Sequence, residues 1–239
     1  GDTYLHIIFP FLSPAHKDML LEISKTVYRQ RWGVNPESIW LPESAVDMST
    51  LESLAKNKFK AVHLREHQIH NNSGNTVGVQ TKYGNILDIS SHNSLSGGVG
   101  FEKPWADSFF RNWVSESRRL GYSPRISIDG ETLGHWWKAS EGVQEFTLFL
   151  LKYLSEGNAG NFLDFNIQNI SDSKLRENTS WSCMDSGLGR WKGDWNCSCG
   201  LPVNEWEANK IRASKRDLFD KLSSVSLRID EALDINFPD

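Results

Sequence analysis

Apolar residues along the chain fall into short runs that alternate with stretches of helical spacing. Leu5–Phe9 reads as a strand, and Met19, Leu20, Ile23 and Val27 form one face of a helix after it. Ser38–Leu41 is a second strand. Ser49 and Glu52 have the spacing of a capping box, opening a short helix with Leu51, Leu54 and Ala55. Ala61–Leu64 is a third strand. Residues 66–84 are polar and predict a loop or a small hairpin, Ile86–Ser90 a strand, and Ser94–Gly100 a Gly/Ser-rich turn. Trp105, Phe109 and Trp113 recur every fourth position and predict a helix. Arg125–Ile128 follows as a strand, Val143, Phe146, Leu150 and Leu154 as a helix, and Phe162–Ile167 as a strand. Beyond residue 170 the period is lost, until Leu218, Leu222, Val225, Ile229 and Leu233 restore helical spacing in a C-terminal helical region. The alternation predicts an α/β fold with parallel strands, as an open sheet or a barrel. Two parts are expected: a barrel-like unit over residues 1–170, and a Trp/Cys-rich segment with helices over 171–239.

Composition narrows the classes. At 239 residues the chain can bury a core, and a net charge of -4 argues against a nucleic-acid partner. The apolar run at 146–151 is too short to span a bilayer. The three cysteines, Cys183, Cys197 and Cys199, are odd in number and clustered. They read as reduced thiols of a cytoplasmic protein, with a zinc site as the lesser alternative. Ten tryptophans are the unusual feature. Most are expected in the core, Trp181 and Trp191 among them.

Two segments carry candidate chemistry. Ile39-Trp40-Leu41-Pro42-Glu43-Ser44 is an apolar strand stopped by a proline and followed at once by a carboxylate. Ile126-Ser127-Ile128-Asp129-Gly130-Glu131-Thr132-Leu133-Gly134-His135-Trp136-Trp137 repeats the theme with acids, a histidine and paired indoles. Parallel α/β folds gather their active sites at the C-terminal ends of strands, so both segments are expected on one rim. A single strand-end acid is often a helix cap. Two, each beside flat apolar rings, point to glycoside cleavage, which needs opposed carboxylates. His6 is open between a buried structural histidine and a substrate ligand. His63, His67 and His70 lie beside a polar loop and are expected to be solvated.

Trp40-Leu41-Pro42-Glu43 and the Asp129–Trp137 stretch resemble the third and fourth signature regions of glycoside hydrolase family 57. Three further features resemble an uncharacterised branch of that superfamily: Leu5-His6-Ile7-Ile8-Phe9-Pro10-Phe11, Thr179-Ser180-Trp181-Ser182-Cys183, and Cys197-Ser198-Cys199. The resemblance runs from about residue 4 to about 235. It implies an incomplete (β/α)7-type barrel, closed or extended by C-terminal helices. Nothing in residues 1–37 matches the family's first signature strand, so at least one barrel strand is expected to be missing. The implied function is a retaining glycoside hydrolase or transglycosidase acting on α-linked, α-glucan-like chains. Glu43 would be the nucleophile and Asp129 the general acid/base, its pKa raised by burial and by Glu43. His6, Trp40, Glu131, His135 and Trp136 would line the sugar subsite. No cofactor, metal or membrane is implied, and the partner is an oligo- or polysaccharide. An exposed barrel edge would favour a homo-oligomer. Two other readings stay open: a catalytically silent binding relative on a truncated barrel, and a deacetylase-like enzyme recruiting Asp129, His6 and His135 to one metal.

Overall fold

Strands β1 (Ser38–Trp40), β2 (Ala61–Arg65) and β4 (Gly84–Ser91) are parallel, and β3 (Val77–Thr81) pairs antiparallel with β4. The sheet order is β1-β2-β4-β3. A computed structural model provides the coordinates and describes residues 1–70, 76–156, 174–182, 188, 217–218, 220–229 and 231–232. The β1-α2-β2 unit is a parallel crossover through helix α2 (Met48–Lys56). Within the polar 66–84 stretch the described residues take the hairpin alternative, with β3 and β4 joined by Lys82 and Tyr83. Helix α1 (Pro14–Trp32) packs against α2. It opens on a Ser13 cap and closes on Gly33, whose φ of 73° suits a residue with no Cβ.

Two apolar clusters hold the molecule. The first joins Leu20 and Leu21 of α1, Leu51 and Leu54 of α2, and Ile39, Val62, Leu64, Val79 and Ile86 of the sheet. The second joins α3 (Asn93–Gly97), α4 (Ala106–Leu120) and α5 (Val143–Ser155) through Leu95, Phe109, Val143 and Phe146, with Trp137 among them. Phe109 and Phe146 meet edge to face at 5.3 Å, and Trp137 tilts onto Phe146 at 4.8 Å.

Several expectations are corrected. Leu5–Phe9 is not a strand. Among the described residues only Asp2 bridges the outer edge of β1, and Pro10, which has no N–H, sits in a 3-10 turn over Phe9–Phe11. The buried face of α1 is His16, Lys17, Leu20, Leu21 and Ser24, whereas Ile23 is exposed. Lys17 is drawn inward by Asp47, 3.1 Å from its Nζ. Asp47, not Ser49, caps α2 by accepting from the Thr50 N–H at 2.7 Å. Glu52 instead pairs with Lys82. Ser94–Gly100 is helical despite its composition, because Leu95 and Val99, four apart, are both buried. Arg125–Ile128 forms no ladder. Its backbone groups bond elsewhere: the Arg125 carbonyl accepts from the His92 N–H, the Ser127 N–H donates to Ser96 Oγ, and the Ser127 carbonyl accepts from Arg65. In the C-terminal helical residues 220–229, Leu222 packs on the first cluster, Ser226 is buried against Ser13 and His16, and Val225 is exposed, as is Leu218 ahead of them. Phe162–Ile167, Trp191 and the three cysteines lie outside the described residues. Among the described residues no helix is long and apolar enough to cross a membrane.

Candidate active site

The C-terminal ends of β1, β2 and β4 open on one rim, as parallel strands require. At the end of β1, Pro42 starts a tight turn in which the Ser44 N–H donates to the Leu41 carbonyl at 2.8 Å. Glu43 (φ 57°, ψ 15°) and Ser44 (φ 44°) are both left-handed. Side chains with a Cβ adopt that region at a cost of about 1–2 kcal/mol each, so the surroundings must hold it. Two carbonyls of the turn are anchored. The Glu43 oxygen accepts from the Trp181 N–H at 3.0 Å, and the Ser44 oxygen from Gln68 Nε2 at 2.8 Å.

The Glu43 carboxylate is fixed on one oxygen. Trp181 Nε1 donates to Oε2 at 3.2 Å and Ser182 Oγ at 2.8 Å. These donors come from residues far along the chain. They reach the rim because Thr179 bridges Val46 antiparallel, and because the Ser180 carbonyl accepts from His67 Nε2 at 2.9 Å. Trp181 is half-buried, edge-on to Trp40 at 4.9 Å and capped by the Arg65 guanidinium at 5.2 Å. It therefore belongs to the site and not simply to the core.

Asp129 arrives from the extended 125–129 segment, tied to β4 by His92 and to β2 by Arg65, whose Nη2 donates to the Ser127 carbonyl at 3.1 Å. After it, the chain folds into a closed turn. The Thr132 N–H donates to the Asp129 carbonyl, and the His135 and Trp136 N–H groups donate to the Glu131 carbonyl. Gly134 makes the reversal with a φ of 128°. Trp137 anchors this turn in the second cluster at 1% exposure, its Nε1 bonded to the Glu141 carbonyl at 2.7 Å. Trp136 is 56% exposed, holds Glu131 Oε1 at 3.2 Å and meets His135 edge to face at 4.6 Å.

Partial burial of the Asp129 carboxyl, then the negative charges of Glu131 and Glu43, raise its pKa above the usual aspartate value. Arg65 and His6 oppose the rise. Glu43, Asp129, Glu131, Arg65 and His6 thus share one electrostatic neighbourhood. Burial pushes the Arg65 guanidinium down to about 10, so it stays charged near neutral pH. Burial is also the main cause that pushes His63 down to about 4. His63 is therefore neutral and leans on Trp40 at 6.0 Å, in place of the solvated histidine the sequence suggested.

Of the predicted residues, Trp40 ends β1 and Glu43 stands on the turn after it; Glu43, Glu131 and His6 lie within the field of Asp129, and His135 and Trp136 follow on the Asp129 turn, tied to the Glu131 carbonyl. Among the described residues, no three His, Cys, Asp or Glu side chains are grouped as a metal set, so Asp129, His6 and His135 do not form one. Sequence reasoning missed Arg65, Trp181, Ser182, His67 and Gln68. Arg65 was within reach of the strand-end rule, since β2 runs straight into Arg65-Glu66.

The sequence pattern of glycosyl hydrolase family 57 matches residues 1–165. No curated protein matches the chain. Among solved structures, an exo-type maltose-forming amylase of Pyrococcus sp. ST04 superposes with a TM-score of 0.61 at 15% identity, over 91% of this chain and 43% of that one. An α-amylase of Thermotoga maritima gives 0.59 at 14% identity, over 100% and 71%. A family-57-type branching enzyme of Pyrococcus horikoshii gives 0.55 at 18% identity, over 88% and 51%. These likenesses are of fold, and the chain spans less than half the length of the maltose-forming amylase. With the family pattern covering more than half of its residues, the chain belongs to glycosyl hydrolase family 57.

Proposed function

We propose that this chain carries the carboxylate pair of a retaining glycoside hydrolase or transglycosidase acting on α-linked glycans. One observation carries the reading: partial burial, then the negative charges of Glu131 and of Glu43 on the turn after β1, raise the Asp129 pKa, the direction a general acid beside a second carboxylate needs. Glu43 attacks the anomeric carbon through a carboxylate oxygen. The glycosidic C–O bond breaks, and the Asp129 proton passes to the leaving oxygen. Asp129, now ionised, takes the proton of a water or acceptor-sugar hydroxyl. That oxygen bonds to the anomeric carbon as the Glu43 ester breaks, which restores both groups. Trp136 offers an exposed flat face for a sugar ring, and Glu131 and His135 offer hydroxyl partners beside it. The four-stranded arc is read as part of an incomplete (β/α)7-type barrel. The named activities of the superposed amylases and branching enzyme favour an α-glucan as substrate.

The test is release of reducing ends from a soluble α-glucan. Glu43→Gln and Asp129→Asn should each lower kcat by about 10³-fold or more. Azide should restore turnover of Asp129→Asn on a substrate with an activated leaving group, because it needs no general base. Release of reducing ends that survives both substitutions would refute the assignment, and a wild-type chain that binds the glycan without cleaving it would be a silent relative.

A further inference from the structure

The Glu43 carboxylate is held unsymmetrically. Both of its side-chain hydrogen bonds, from Trp181 Nε1 and from Ser182 Oγ, end on Oε2. Among the described residues none donates to Oε1. The backbone beneath is fixed at the same time, since the Trp181 N–H holds the Glu43 carbonyl. Trp181 and Ser182 therefore grip Glu43 at three points, one on the main chain and two on a single carboxylate oxygen. The grip is itself braced from the rim. Gln68, fully buried, reaches Thr179 Oγ1 and the Ser44 carbonyl, and His67 holds the Ser180 carbonyl.

The geometry points to Trp181 and Ser182 as positioning residues that select which oxygen of Glu43 attacks. This rests on the reading of Glu43 as nucleophile. A carboxylate oxygen that accepts two hydrogen bonds has its charge stabilised and its lone pairs directed at the donors. The other keeps its lone pairs free for a carbon electrophile. Oε1 is thus the atom that forms the glycosyl ester. Oε2 becomes the ester carbonyl oxygen and keeps both donors, so the grip serves the covalent intermediate without rearranging. Trp181 is not a sugar-stacking platform in this arrangement, because Arg65 covers one face of its ring and Trp40 packs against it edge-on.

Two substitutions separate positioning from packing. Trp181→Phe keeps an aromatic ring between Trp40 and Arg65 but removes the N–H. Ser182→Ala removes one hydroxyl from an exposed residue. Each should lower kcat on the α-glucan by about 10- to 100-fold, the range for a hydrogen bond to a charged group, with KM changed less than about threefold. The double variant should lose more than either, and Ser182→Thr, which keeps the hydroxyl, should recover most of the rate. Crystal structures of the same variants supply an arm that needs no activity: the Glu43 carboxylate should turn away from its wild-type orientation or occupy more than one. An unchanged kcat in both single variants, or an unchanged carboxylate in both structures, overturns the inference. An inactive wild-type chain would sink the functional reading instead, and the structures alone would then decide this one. Should Trp181→Phe fail to fold, Ser182→Ala and Ser182→Thr still decide it.

Discussion

At the residue scale, the proton affinity of Asp129 is the property the proposed chemistry leans on, and its charged neighbours set the sign of each change. Arg65 is a positive charge that holds the raised Asp129 pKa down. Arg65→Met should therefore raise it further and move the alkaline limb of kcat/KM to higher pH, because the general acid stays protonated longer. Glu131→Gln removes the charge that, after burial, does most to raise it. The same limb should move to lower pH. A pH–rate series on the two variants checks both signs, and shifts in the same direction would contradict this electrostatic account. The left-handed backbone at Glu43 and Ser44 belongs to this scale too. Strain of this kind persists where the surroundings over-determine it, and here the surroundings are Gln68 and Trp181.

At the element scale, the rim exists because three parallel strands run in one direction, β1 ending two residues short of β2 and β4, and two non-strand segments are tied to them. The capping residue of α2 also ties that helix to α1. Asp47 caps the first turn while pairing with Lys17, whose side chain is 1% exposed. Burial lowers the Lys17 pKa and Asp47 opposes the shift, so the pair is the main compensation for a buried ammonium. Removing the carboxylate leaves that charge in place. Asp47→Asn should destabilise by about 3–5 kcal/mol, read from the midpoint of urea unfolding at neutral pH. A change below about 1 kcal/mol would mean that water already solvates Lys17. The 174–182 segment is a second such tie: Leu175 joins the first cluster and Thr179 bridges Val46, which brings Trp181 and Ser182 to the rim.

At the scale of the whole molecule, the candidate site lies where the two apolar clusters meet. Glu43 stands on the sheet of the first, and the Asp129 turn is anchored by Trp137 in the second. The link between them is polar: Arg65 of β2 to the Ser127 carbonyl, and the His92 N–H, just after β4, to the Arg125 carbonyl. Truncation in either cluster should cost what a core cavity costs, about 2–5 kcal/mol for Leu54→Ala and about 3–5 kcal/mol for Phe146→Ala. If the polar link holds the clusters as one cooperative unit, both variants shift a single unfolding transition seen alike by far-UV circular dichroism and by tryptophan fluorescence. Two separated transitions in Phe146→Ala would show that the Asp129 turn melts independently of the sheet.

Helical and strand periods, being local, fixed most elements. The β1-α2-β2 unit, β4, α4 and α5 all stand where their spacing places them. The place of Glu43 was legible for the same reason, because a parallel sheet sends the ends of its strands to one rim, whereas Asp129 follows a segment that joins no sheet. What the pattern left open was decided by partners distant in sequence. Arg125–Ile128 has the composition of a strand, but its polar groups found side chains in place of a ladder. Leu95 and Val99 became helical because a core was there to receive them. The grip of Trp181 and Ser182 on Glu43 spans 138 and 139 positions. No period encodes so distant a contact: it forms only when folding has closed the intervening loop, so the tertiary structure alone could reveal it.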